Sequence, residues 1–212
     1  WGCNNLAYKP IASNEKYEVT FVGQSHGSRK TMINRLTDNG LTVNCYGGGW
    51  TNGRVSQEKM LEIFSNSKIN LNLPLSSDRW SLKAFAKLFF YRRNNVAYNS
   101  KNPFMYSLYN PIIWINNFKS LANKDRDQIK GRVFEVPGTG GFLLTGDADN
   151  IRDYYVDGKE IVIFKDMADL AQKAKYYLTH DDEREAIAKA GYERTLREHT
   201  YEHRFREIFR LC

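Results

Sequence analysis

Short β-rich runs alternate with helical patterns almost from the first residues, and this alternation restricts the fold more than any other feature of the chain. Tyr17 to Gly23 (Y-E-V-T-F-V-G) reads as a strand ending in glycine. Ser28 then stands where an N-cap belongs, Met32, Ile33 and Leu36 follow at helical spacing, and Gly40 is a stop. Leu41 to Cys45 reads as the next strand, running into the turn Gly47, Gly48, Gly49. Ser56 can cap a second helix whose apolar face is Met60, Leu61 and Phe64, and Lys68 to Leu73 is a third strand. Gly141 to Thr145 and Glu160 to Phe164 are two more, with helical patterns near Arg132, Ile151 and Ala168. A charged helix starts at Asp181, and a short one closes the chain. Strand and helix in strict turn mean parallel βαβ units, so the fold class is α/β, a Rossmann-like doubly wound parallel sheet.

One stretch breaks the rhythm. From about residue 78 to 127 the chain holds far more sequence than a crossover needs. Leu82 to Arg93 reads as an amphipathic helix, with Leu82, Phe85, Leu88 and Phe89 set against Lys83, Lys87 and Arg92. The rest is rich in Asn, Tyr, Phe and Trp, with Pro103 and Pro111 as breakers. This is expected to be a helical and aromatic insertion on the functional rim of the sheet. Residues 1–16 read as a linker, 17–199 as the Rossmann-like domain and 200–212 as a C-terminal helix.

A hydrophobic share of 42% with 26% charged residues excludes disorder. No run approaches the roughly 20 apolar residues of a membrane span. The opening W-G-C-N-N-L-A-Y-K-P lacks both the basic start and the apolar stretch of a signal peptide. Cys3, Cys45 and Cys212 are too few and scattered for a disulfide framework or metal site, and reduced thiols in the cytoplasm are the expectation. The net charge of +7 suits anionic partners without choosing among nucleotides, nucleic acids and acidic lipid.

Two constellations carry candidate chemistry. In F-V-G-Q-S-H-G-S-R, Gly23 and Gly27 let the backbone of the turn through Gln24 and Ser25 approach a phosphate, the helix N-terminus near Ser28 presents N–H groups to it, and Arg29 adds a positive charge. This is neither G-x-G-x-x-G nor a P-loop, and a plain tight turn remains the alternative. In I-K-G-R-V-F-E-V-P-G-T-G-G-F-L-L-T, Glu135 can accept two ribose hydroxyls, and Lys130 or Arg132 can offset charge on a departing diphosphate. Gly138, Thr139 and Gly140 supply a glycine-rich turn. The alternative is a Glu135–Arg132 surface pair. His26 is a donor contact or a solvent-exposed loop histidine. His180, His199 and His203 read as surface or packing groups, and Trp50 as core with base stacking as the alternative. Asp147, Asp149 and Asp153 flank a helix start, where acids cap.

These blocks, together with N-C-Y-G-G-G-W, S-K-I-N-L-N, G-K-E-I-V-I-F-K-D-M-A-D-L, Y-Y-L-T-H-D-D-E-R and H-T-Y-E-H-R-F, resemble the CgeB-like group of glycosyltransferases, relatives of the broad group-1 enzymes. The resemblance spans nearly the whole chain except the insertion. It implies the C-terminal, donor-binding half of a GT-B fold, with an N-terminal acceptor domain outside this chain and W-G-C-N-N-L-A-Y-K-P as the link between them. It implies a nucleoside-diphosphate sugar as donor substrate, a glycan, protein or lipid acceptor, and neither cofactor nor metal. Glu135 aligns with the glutamate expected to hold the donor ribose, and Gly23 and Arg29 fall where the diphosphate is expected. Asp127 stands eight positions before Glu135, where the wider group carries an acid that touches the donor sugar. A non-catalytic nucleotide- or nucleic-acid-binding module is the competing reading, although no nucleic-acid signature appears. The Leu82 to Arg93 helix is a candidate for membrane-surface contact, with packing on the sheet or the absent domain as the alternative.

Overall fold

The computed structural model describes residues 1–73, 82–92, 106–122 and 129–211. In chain order the elements are β1 (Tyr17–Val22), α1 (Arg29–Asp38), β2 (Val43–Tyr46), α2 (Gln57–Asn66) and β3 (Ser67–Asn72). They continue through α3 (Leu82–Phe89), β4 (Phe90–Arg92), β5 (Tyr106–Leu108), α4 (Pro111–Ala122), α5 (Arg132–Gly138) and β6 (Leu143–Gly146). β7 (Val162–Phe164), α6 (Met167–Thr179), α7 (Asp181–Glu198) and α8 (Tyr201–Leu211) complete them. The chain divides into two compact units, Trp1–Leu75 with Asp127–Cys212, and Ser76–Arg126.

The first unit is built on a five-stranded, all-parallel sheet in the order β2-β1-β3-β6-β7. Alternate residues of each strand face opposite sides, so each face needs its own helices. Val19, Phe21, Ile69, Leu71, Leu144 and Val162 pack with Ile33 and Leu36 of α1 and Leu170 and Ala174 of α6. Across the sheet, Leu143, Ile161 and Ile163 pack with Phe64 of α2 and Val133, Phe134 and Val136 of α5. Each such buried aliphatic or aromatic side chain contributes about 1.5–3 kcal/mol, which is why neither face can be left bare. The doubly wound α/β architecture read from the alternation is therefore the one observed. The chain leaves β1 in one direction for β2 and in the other for β3, which puts the topological switch point between β1 and β3.

Local signals behave unevenly. Ser56 caps α2, its hydroxyl accepting from Lys59 N, whereas Ser28 precedes α1 without a side-chain cap. Asp166 caps α6 through Ala168 N and Asp169 N. The helix expected near Ile151 shrinks to a three-residue 3-10 turn, Ile151–Asp153, because Ile151 and Tyr155 are both drawn into the core. The helix expected to reach Arg93 ends at Phe89; the aromatic residues Phe90 and Tyr91 enter β4, which pairs antiparallel with β5.

Residues 1–16 lie pinned along the first unit. Cys3 is fully buried, its N–H donating to His199 O and its carbonyl accepting from Tyr201 N. Ile11 N donates to Ser65 Oγ and Asn66 Nδ2 to Ile11 O. Cys3 and Cys45 are free thiols, each pushed up to about 12 by burial. Among the described residues no helix is long and apolar enough to cross a membrane.

Candidate active site

The turn after β1 is shaped by glycines. Gly23 N donates to Tyr46 O, and Ser25 N to Gly48 O, so the β1–α1 turn is clasped to the glycine turn after β2. Gly47 sits at φ +125°, where a side chain is strained, and a Cβ there would strike Gly23 O. Trp50 closes the clasp: its indole N–H donates to Gly23 O at 2.8 Å and its ring meets Phe21 edge-on. Its role here is packing.

Arg29 departs from its expected role. It is 7% exposed and lies over the Phe21 ring. Its Nη1 donates to Gln24 O at 2.9 Å, and Nε and Nη2 donate to Leu73 O at 3.3 and 3.0 Å. Three of its five N–H donors are spent on main-chain carbonyls, tying the β1–α1 turn to the end of β3. It lines the cleft as a buried brace, and burial lowers its pKa from the ordinary arginine value.

On the other side of the switch point, α5 begins with Arg132 and carries Glu135 in its first turn. Arg132 Nη1 donates to Glu135 Oε2, and Tyr8 Oη donates to Oε1 at 3.0 Å. Arg132 lies over the Phe64 ring and reaches Val22 O at 3.5 Å, which fastens α5 to the end of β1. Gly131 gives the carboxylate room, since a Cβ there would stand 3.0 Å from Oε1. Tyr8 is pushed up to about 12, first by burial and then by the Glu135 charge, so it donates at neutral pH. Among the described residues Tyr8 donates to one Glu135 oxygen and Arg132 to the other, and each oxygen carries a second lone pair that a ligand can use.

These groups line one open cleft of about 490 Å³ at the C-terminal edge of the sheet. Its walls are Val22, Gly23, Gln24 and His26 after β1, Arg29 from α1, Asn72 at the end of β3, and Lys130 to Arg132 with Glu135. Trp1 stands at its margin. Among the described lining residues, Arg29, Lys130 and Arg132 are basic and Glu135 is acidic. The volume suits a nucleotide-sized ligand.

Gly23, Gln24, Arg29, Lys130, Arg132 and Glu135 thus converge, while Ser25 serves the clasp behind the cleft wall. Gly138, Thr139 and Gly140 do not join them, which corrects the expectation from sequence. They lie at the far end of α5: Gly138 is bare because Cys3 Sγ fills the space beside it, and Thr139 is buried, its hydroxyl bonded to Val136 O. Gly140 lines a separate hollow at the N-terminal edge of the sheet, with Tyr17 and Ser67. Asp127 lies outside the described residues. Asp147 pairs with Arg152, and among the described residues no group of His, Cys, Asp and Glu could hold a metal ion.

His180 stacks on Tyr176, and His203 bonds Thr200 Oγ1, in keeping with packing roles. His199 is buried behind α5 among Phe134, Tyr154 and Tyr155. Sequence reasoning missed Tyr8 and Asn72. No local pattern marks Tyr8, which meets Glu135 across 127 positions. Asn72 did leave a signal: with Asn70 it is polar at period two in a central strand, where Asn is depleted. Both amides are satisfied, Asn72 by Thr145 Oγ1 and Asn70 by Phe64 O and Thr20.

Comparison with known proteins fits this geometry. The structure is similar to sucrose-phosphate synthase from Thermosynechococcus elongatus, with TM-score 0.59 and 12% identity, over 100% of this chain and 52% of that one. It is also similar to TarM, with TM-score 0.57 and 10% identity, over 96% of this chain and 37% of TarM. The chain therefore spans about half the length of the first and little more than a third of the second. At such identity the likeness concerns the fold, here a Rossmann-like half of the GT-B type. No curated protein sequence matches. The family model described as glycosyl transferase-like matches residues 29–210, and on that match the chain belongs to the glycosyl transferase-like family.

Proposed function

We propose that this chain is the donor-binding half of a GT-B glycosyltransferase of the CgeB-like group, holding a nucleoside-diphosphate sugar in the cleft at the β1/β3 switch point. The observation that carries this reading is the convergence of the Tyr8–Glu135–Arg132 cluster with the Gly23 turn across one cleft. Glu135 accepts from the ribose hydroxyls through its remaining lone pairs, in an orientation held by Tyr8 and Arg132. The bare backbone at Gly23 lets the diphosphate approach. Lys130 and Arg132 stabilise the charge that grows on the nucleoside diphosphate as its bond to the sugar breaks, which lowers the barrier only to the extent that they meet the transition state better than the bound donor. Arg29 acts through the turn it braces. The acceptor, a glycan, protein or lipid, meets the sugar on the open side of the cleft together with a domain outside this chain. Buried free thiols support a reducing compartment, the cytoplasm.

Glu135→Gln tests the reading. The amide keeps the size and loses one acceptor oxygen, so calorimetry with uridine and guanosine diphosphates should show affinity reduced by about 1.5–3 kcal/mol for whichever nucleotide binds. The melting temperature should change little. Equal affinity in two well-folded proteins would remove Glu135 from the site and leave it as the structural partner of Arg132 and Tyr8.

A further inference from the structure

The chain's charge is not evenly spread. Ser76–Arg126 holds nine Lys and Arg against two Asp, which is the whole of the net +7; outside it, basic and acidic residues are equal in number. The same unit exposes apolar side chains that its own packing does not use. In α4, Trp114 and Phe118 turn to the Phe89 ring at 5.1 and 5.9 Å, and Asn117 Nδ2 donates to Leu88 O. Ile112 and Ile115, one helical turn apart on α4, are left 73% and 61% exposed, with Lys119 exposed a turn further on. Phe90 and Leu108, directly paired between β4 and β5, are 44% and 56% exposed.

We propose that the Ser76–Arg126 unit docks on an anionic phospholipid surface, with α4 and the β4–β5 pair entering the headgroup region. Two observations choose this occupant. A net +7 concentrated in one unit is complementary to an acidic leaflet, where each basic group near the surface adds to binding. The most exposed apolar side chains among the unit's described residues, Ile112, Ile115 and Leu108, gain from acyl chains and offer a nucleic-acid base no ring to stack on. The exposed Phe90 and Phe118 suit the depth of the headgroups as well. The surface is carried by α4 and the β4–β5 pair, beyond the basic α3 helix that the sequence pattern singles out. It stands whether or not the cleft takes a nucleotide sugar.

The test is co-sedimentation of the full 212-residue chain with vesicles of phosphatidylcholine alone, or of phosphatidylcholine and phosphatidylglycerol in equal amounts. The chain is expected to sediment with the mixed vesicles and far less with the neutral ones, and to be released by salt. The double substitution Ile112→Ser with Ile115→Ser, in a protein of unchanged circular dichroism, should lower partitioning by about tenfold or more. Lys87→Glu with Lys119→Glu, both exposed, should lower it too and flatten its salt dependence. No sedimentation with mixed vesicles would overturn the proposal. So would wild-type partitioning of the isoleucine variant, and so would single-stranded oligonucleotide binding that exceeds vesicle binding and ignores that variant.

Discussion

The two edges of the parallel sheet carry hollows of similar size and opposite character. The C-terminal edge has the cleft of about 490 Å³, and the N-terminal edge a hollow of about 380 Å³ lined by Lys16, Tyr17, Lys68, Asp181, Arg184 and Glu185. At the N-terminal edge Asp181 pairs with both Arg184 and Lys68, and Lys16 donates to the neutral Asn66 Oδ1. At the C-terminal edge Arg132 pairs with Glu135, Arg29 gives its donors to the carbonyls of Gln24 and Leu73, and glycine turns bare the backbone. Volume does not separate the two; the backbone that the glycine turns lay bare at one edge does. Parallel strands concentrate such turns at their C-terminal ends, where each strand hands over to a helix N-terminus.

The largest expected effect breaks the clasp. In Gly47→Ala the new Cβ strikes Gly23 O at a backbone angle that L residues avoid, so stability should fall by about 3 kcal/mol or more. Gly140→Ala at the other edge is the control. Its φ is +74° but its Cβ would meet only Pro10 Cγ at 3.6 Å, so it should cost about 1–2 kcal/mol. Urea unfolding of both variants decides. Equal losses would mean that the Gly47–Gly23 approach relaxes freely and does not hold the cleft.

A second pair of substitutions separates bracing from binding. Arg29 and Arg184 are similarly buried, at 7% and 6% exposure, and both give N–H donors to main-chain carbonyls, Arg184 to Tyr177 O at 2.7 Å. Arg29→Met and Arg184→Met should each destabilise by about 2 kcal/mol, since each leaves carbonyls without their donor. Only Arg29→Met should also weaken nucleoside diphosphate binding, because only Arg29 holds the cleft wall. An equal loss of affinity in both would turn the contrast between the edges into a general loss of stability.

How far these features were legible depended on the range of the interaction that makes them. The succession of strands and helices and the helix faces follow from local periodicity, and β1, β3 and the α1 face lie close to where the spacing puts them. The lateral order of the strands rests on pairings between distant segments. Gly23 and Glu135 could be paired because each follows or opens an element at the C-terminal edge. Gly138 to Gly140 were misplaced because a glycine-rich turn looks the same at either edge. Seven residues of α5, about 10 Å of helix, carry the chain from one edge towards the other between Arg132 and Gly138. Tyr8 and the bracing of Arg29 rest on contacts across 127 and 44 positions, which no window of sequence contains.

The smallest effect is one of pH, and it should act on one edge alone. His199 sits behind α5, its ring 5.7 Å from Phe134, the neighbour of Glu135. Its Nε2 faces Tyr154 O at 2.7 Å and its Nδ1 faces Arg204 Nη2 at 3.1 Å. The arginine can only donate, so Nδ1 accepts, Nε2 carries the proton, and the folded state holds the ring neutral. Burial is the main cause that lowers its pKa below the ordinary 6.5, and the Arg204 and Arg194 charges add to it against the Tyr154 hydrogen bond. Unfolding therefore takes up a proton below pH 6.5. The stability that the neutral ring contributes is fully present above that value and is lost as pH falls through the lower folded pKa, at no more than about 1.4 kcal/mol per pH unit. No histidine lines the N-terminal hollow, and Asp181 there is held below the ordinary carboxylate value by Arg184. Hydrogen exchange at pH 7 and just above pH 5 should show α5 losing protection before the start of β1 and β3. His199→Gln, which can keep a donor towards Tyr154 O, should flatten the difference. Equal loss of protection at both edges in wild type, or an unchanged slope in the variant, would show that His199 does not set the acid response of the cleft.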